Sequence, residues 1–135
     1  MRTTQAGRSA RGRSGLAATE LALALPVLAF LFQITADYSR LFFALATLSD
    51  SARAGAMYYA TTSTATTSSI QAVALADATN LSPTPTVTST AGTDSAGNST
   101  VTVTVSYPFS TLTSITGVAS PATLSRSVTM MPNPP

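Results

Sequence analysis

The chain has 135 residues, 9% of them charged, and contains no Cys, no His and no Lys. That leaves out a disulfide framework and thiolate or imidazole metal sites, and removes the residues that most often carry acid–base catalysis. Four of the seven arginines, Arg2, Arg8, Arg11 and Arg13, precede Gly15; the remainder sets three Arg against five acids, so no basic surface for nucleic acid is left.

Residues 1–15, MRTTQAGRSARGRSG, have no apolar periodicity and read as a disordered or extended basic leader. Four Arg with no acid form a positive-inside signal that holds the N-terminus in the cytoplasm and sends the rest of the chain across the membrane. An apolar run follows, Leu21 to Phe32, only twelve residues long. With its flanks, Leu16 to Thr19 and Gln33 to Ala36, it reaches 21 residues, about 31 Å of helix and enough to span a bilayer core. Glu20 stands inside this stretch. A carboxylate costs about 2.5–3.5 kcal/mol at the membrane centre, less near an interface, so it asks for a partner.

The helical pattern does not stop at the membrane. Ile34, Tyr38, Leu41, Leu45, Leu48, Ala52, Gly55 and Tyr59 recur at spacings of three and four, which predicts one helix over about residues 16–60. Pro26 interrupts it and is expected to bend the rod. The pairs Asp37–Arg40 and Asp50–Arg53 are spaced as helix-surface ion pairs on a solvated face. Ala52, Ala54, Gly55 and Ala56 thin the helix, so that another backbone, from the same chain or a neighbour, can approach. The triplet Ala44-Leu45-Ala46 has the form of a signal-peptidase site but lies too far downstream, inside the helical pattern.

Past Ala60, TTSTATTSS reads as a flexible connector, with Ser68 or Ser69 capping a short helix over Ile70, Val73, Ala74, Ala76 and Asp77. Leu81-Ser82-Pro83-Thr84-Pro85 ends that helix and begins an extended stretch. Thr86 to Thr90 and Thr100 to Tyr107 alternate with period two around a turn, AGTDSAGNS, and predict a hairpin with Val101, Val103 and Val105 on the inner face. Pro108 is expected to end the second strand. A loop to Gly117 follows, anchored by Leu112 and Ile115, then a third strand over Ala122 to Met130 and a frayed tail from Met131. Asp94 and Asn98 beside Gly97 suit turn chemistry better than calcium, since one carboxylate lacks the ligand count. No serine has a base to activate it, and neither a metal nor a cofactor is expected.

The basic leader, Gly15, four small or apolar residues, Glu20 and an apolar helix containing Pro26 resemble the class III signal of type IV pilins and pseudopilins. The longer string GLAATELALALPVLAFLFQITADYSRLFFALATLSDSARAGAMYYA resembles more specifically the TadE-like family of minor pseudopilins of the tight-adherence (Tad) pilus. The steps that carry this are Glu20-Leu21-Ala22, Leu25-Pro26-Val27-Leu28, the segment from Asp37 to Arg40, and Ala52 to Ala56 followed by aromatics. The resemblance implies cleavage between Gly15 and Leu16 by a prepilin peptidase. It also implies that Glu20 of one subunit pairs with the N-terminal amine of another.

The resulting expectation is a pilin-like α+β protein. A basic leader (1–15), a transmembrane helix (16–36) and its extramembrane continuation (37–60) precede a small exported domain (61–135), whose second short helix accompanies a three-stranded antiparallel sheet packed on the first helix. The chain is expected to be a non-catalytic, single-pass protein of the bacterial inner membrane or the pilus, with its C-terminal domain outside. Its expected partners are the prepilin peptidase, other pilin or pseudopilin subunits, the inner-membrane assembly platform and lipid. The alternative is a signal-anchored envelope or adhesion domain that never enters a filament.

Overall fold

A computed structural model describes residues 11–113, 117 and 119–132, with side chains from residue 15 onward. The leader up to Ala10, the expected loop anchor Ile115 and the tail beyond Pro132 lie outside the described residues. The elements follow the order α1 (Arg11–Thr61), α2 (Thr67–Asp77), β1 (Thr86–Thr93), β2 (Ser99–Phe109) and β3 (Ala122–Met130). The class is α+β, with a long apolar helix, a short second helix and one antiparallel sheet in the order β1-β2-β3.

α1 is 51 residues long, about 77 Å, and begins inside the basic leader rather than at Leu16. Assigned as one continuous helix, it runs through Pro26. Every residue from Gly15 to Phe32 is exposed; partial burial begins at Gln33 and full burial at Asp37. One chain therefore makes two different surfaces: a bare apolar rod, then a helix half-covered by its own domain.

The buried stripe of the second half is Asp37, Ala44, Thr47, Leu48, Ser51, Ala52 and Ala56, together with Gly55. It overlaps the expected stripe at Leu48, Ala52 and Gly55, but Tyr38 points outward. Small residues dominate because α2 and the sheet both close onto this face. A Cβ at Gly55 would meet Ala74 Cβ at 3.0 Å, the Ile70 carbonyl oxygen at 3.2 Å and Val103 Cγ1 at 3.3 Å. The backbone that the thin helix admits thus comes from the same chain. Ser51 donates to the Ala74 carbonyl at 2.6 Å and ties α2 to α1 at that crossing.

α2 is capped at Thr66, two or three residues before the expected Ser68 or Ser69. Thr66 accepts from the Ser69 amide while Ser69 Oγ accepts from the Thr66 amide, a reciprocal capping box in which Ser69 is the partner rather than the cap. Ile70 and Ala74 face the core, whereas Ala76 is exposed.

In the sheet, alternation does what period two requires. Val101, Val103, Val105, Tyr107 and Phe109 are buried against the helices. Opposite them, Thr102, Thr104 and Ser106 pair hydroxyl to hydroxyl with Thr129, Ser127 and Ser125 at 2.7, 2.8 and 3.3 Å. Three strand boundaries differ from expectation, one of them the start of β2, which lies one residue earlier, at Ser99. β1 extends to Thr93, which shortens the turn to Asp94–Asn98, and β2 continues through Pro108 to Phe109. Pro108 pairs with Thr123 beyond the end of β1, so β2 has a neighbour on only one side there and an imino nitrogen is tolerated.

Candidate functional site

Two places on α1 matter: its bare N-terminal end, and the point where the domain grips it. At the N-terminal end, Gly15 is a helical residue with open space around it, since a Cβ built there meets nothing within 4 Å. Nothing in the described fold requires glycine at this position, although glycine costs about 1 kcal/mol against alanine in a helix. The Thr19 hydroxyl lies 2.8 Å from the Leu16 carbonyl and 3.2 Å from that of Gly15, folding back onto the turn that contains the Gly15–Leu16 bond. Glu20 is exposed and has no ion-pair or hydrogen-bond partner among the described residues. Glu20 stands four positions after Leu16, so the two lie one helical turn apart on the same face. From there the rod presents Leu21, Leu23, Leu25, Val27, Leu28, Phe30, Leu31 and Phe32 outward. This helix passes the length and hydropathy requirement for a membrane span, and its most apolar window is wholly unburied. A core helix of a soluble protein would be buried there. A bare apolar surface of this size needs lipid or other helices to cover it.

The grip is built from Asp37, Arg40 and the chain leaving β2. Asp37 is 1% exposed, and its Oδ1 accepts from the Leu112 amide at 2.8 Å, across 75 positions of sequence. Arg40 Nη1 lies 3.8 Å from the same oxygen and donates to the Ser110 carbonyl at 3.4 Å, with the guanidinium over the Phe109 ring at 5.7 Å. Thr111 donates its amide to Ser120 Oγ at 3.2 Å, closing the loop that leads to β3. This corrects the reading of Asp37–Arg40 as a solvated surface pair: Arg40 is half-exposed, but Asp37 is an internal anchor. It also corrects the role of Leu112, whose side chain is exposed while its amide is held. The available signal was the stripe Asp37, Leu41, Ala44, Leu48, which places Asp37 on the buried face at spacings of four and three. Asp50 and Arg53 remain exposed and are not within ion-pair distance.

The remaining polar candidate, Asp94, is occupied by its own turn. Its carboxylate accepts from the Ala96 amide at 2.9 Å, the Asn98 amide at 2.8 Å and Asn98 Nδ2 at 2.9 Å. Gly97 completes the loop at φ +87°, in the left-handed region that glycine enters without strain. The Asn98 side chain, then the backbone donors, hold the Asp94 carboxyl below its ordinary value of 3.8. This is turn chemistry, as the composition indicates.

No curated protein and no solved structure matches the chain. A family model does match at the N-terminal end, over residues 15–57, which include Gly15, Glu20, Pro26, the Asp37–Arg40 anchor and Gly55. That model is described as TadE-like protein, so from Gly15 to Met57 the chain is similar to the Tad-pilus-associated family that its sequence resembles.

Proposed function

We propose that the protein is a minor pseudopilin: a structural, non-catalytic subunit of a Tad-type pilus or a related secretion system. In this reading residues 1–15 are a leader removed between Gly15 and Leu16 by a prepilin peptidase. Residues 16–36 span the inner membrane with the N-terminus cytoplasmic, residues 37–60 carry the helix outward, and residues 61–135 form the exported domain. The observation that carries the reading is the bare apolar rod with one carboxylate, Glu20, that has no partner among the described residues and lies one turn from the bond after Gly15. Cleavage exposes an α-amine at Leu16, charged in good part near neutral pH. Docking of two rods then lets Glu20 of one subunit neutralise the amine of the next, which removes the cost of an unpaired membrane carboxylate. The open space at Gly15 supports an external reader of that glycine, since the chain's own packing gives it no purpose.

The test is the intact mass and N-terminal sequence of the protein from native membranes, with and without the prepilin peptidase. A peptidase-dependent N-terminus at Leu16 is the expected result. A chain still starting at Met1, or one cut near Ala46, refutes maturation by this route and leaves a signal-anchored envelope protein.

A further inference from the structure

At the level where α1 leaves the apolar rod, the domain leaves an open groove of 210 Å³ against the helix. Arg40, Phe43, Asn80, Ser82, Tyr107 and Phe109 line it. Arg40 is the one cation of the lining and is already positioned: Nη1 is engaged with Asp37 and Ser110 on the inner side, and the plane rests over Phe109. Its other guanidinium nitrogens have no partner among the described residues, and its side chain is 47% exposed. Asn80, exposed on the far wall, offers a second donor. Phe43 projects from α1 beside this cation, while Tyr38 and Phe42, two positions to either side of Arg40, project at the same level from the other side of the helix with their rings 6.4 Å apart.

The height of the groove selects its occupant. Arg40 lies four residues beyond Ala36, about 6 Å along the helix. The headgroup layer of a bilayer is about 5–8 Å thick on each side of the hydrocarbon core. Arg40 therefore sits at phosphate level when residues 16–36 span the membrane, with aromatic side chains at the depth where such rings collect. We infer that this groove binds the phosphodiester headgroup of an anionic membrane lipid, with Arg40 as the cation that recognises it and Phe43 as the wall that meets the glycerol and upper acyl chain. The inference rests on the membrane-spanning reading. Its consequence is a defined depth and rotation of the helix before assembly, because a bound headgroup holds one face of α1 against the bilayer.

The test uses the full chain in nanodiscs of phosphatidylcholine and phosphatidylglycerol in equal parts, with lipids retained on release counted by native mass spectrometry. The chain is expected to retain phosphatidylglycerol about fivefold over phosphatidylcholine, the preference that one basic side chain near a surface supplies. Arg40→Gln is expected to abolish the preference, and Arg53→Gln, 13 positions or about 3.6 turns beyond Arg40, to preserve it. Because Arg40 also touches the loop after β2, a second variant, Asn80→Asp, leaves those contacts intact and places a carboxylate across the groove; it is expected to lower the preference as well. Equal retention of both lipids, a preference unchanged in Arg40→Gln and Asn80→Asp, or loss of it on adding inorganic phosphate overturns the lipid site while leaving the membrane reading standing. A chain that does not enter the nanodisc at all overturns both.

Discussion

Gly55→Ala separates two opposing effects at one atom. In an unpacked helix the added methyl stabilises by about 0.8–1.0 kcal/mol. At Gly55 it lands 3.0 Å from Ala74 Cβ, 3.2 Å from the Ile70 carbonyl oxygen and 3.3 Å from Val103 Cγ1. Carbon pairs prefer about 3.5–4.0 Å, so the Ala74 contact is short by about 0.5–1 Å. Two of the three obstacles are a backbone atom and a Cβ fixed to backbone, so relief requires α2 to move as a unit. That movement also stretches the 2.6 Å bond from Ser51 to the Ala74 carbonyl. Overpacking of this kind costs about 1–3 kcal/mol. The net expectation is a destabilisation of about 1 kcal/mol, read from urea unfolding of the full chain in detergent micelles with tyrosine fluorescence as the signal. Ala46→Gly, on the exposed face of the same helix, calibrates the propensity effect in the same assay and is expected to destabilise by about 1 kcal/mol. If Gly55→Ala raises stability instead, the helix is not closely approached there and the packing account of the small-residue stripe fails.

Asp37→Ala removes the acceptor of the Leu112 amide and is expected to cost about 1–3 kcal/mol. Its specific sign is faster hydrogen exchange at Leu112, and unchanged exchange there refutes the anchor. The Asp94 carboxyl titrates below its ordinary value in the folded chain, so its contribution to hairpin order is complete above about pH 3.8 and is lost as pH falls through the lowered folded value. Amide shifts of Ala96 and Asn98 followed from pH 5 downward should therefore move with a midpoint below 3.8; a midpoint at or above it contradicts the hydrogen-bonded turn. Gly15 replaced by a bulky residue is expected to stop processing, seen as retention of the leader on an immunoblot. Glu20→Ala is expected to leave processing intact and to reduce assembly, and normal filament assembly by that variant would refute the pairing of Glu20 with a neighbouring amine.

The sequence makes the elements legible wherever one local rule acts without competition. The apolar run after Gly15 needs no tertiary partner to be recognised, because its length and hydropathy are properties of the segment itself. Val101, Val103 and Val105 alternate with threonines so regularly that only one face can be buried, and it is. The expected third strand and the observed β3 share the bounds Ala122–Met130. The errors sit where local signals compete. Thr66, Ser68 and Ser69 are all acceptable caps by residue type, and only the reciprocal bonds of the finished turn select Thr66. Pro108 is a strand breaker unless one side of the strand is free of a neighbour, which is a fact about where β1 begins. For the same reason the sequence places Phe109 in a loop, whereas in the fold it ends β2, buried under Arg40.

Sequence alone determined what is local to the chain: the arginine-rich N-terminal segment, the glycine before Leu16, the carboxylate one turn further on and the apolar rod. Each is a matter of residue type and spacing along one segment, so no packing was needed to find them. Tertiary structure decided how the domain is mounted on that rod. The bond from the Leu112 amide to Asp37 joins residues 75 positions apart, and no spacing rule reaches that far. A charged side chain at helix-surface spacing is exposed by default, and it becomes an internal anchor only when another segment brings a backbone donor to it.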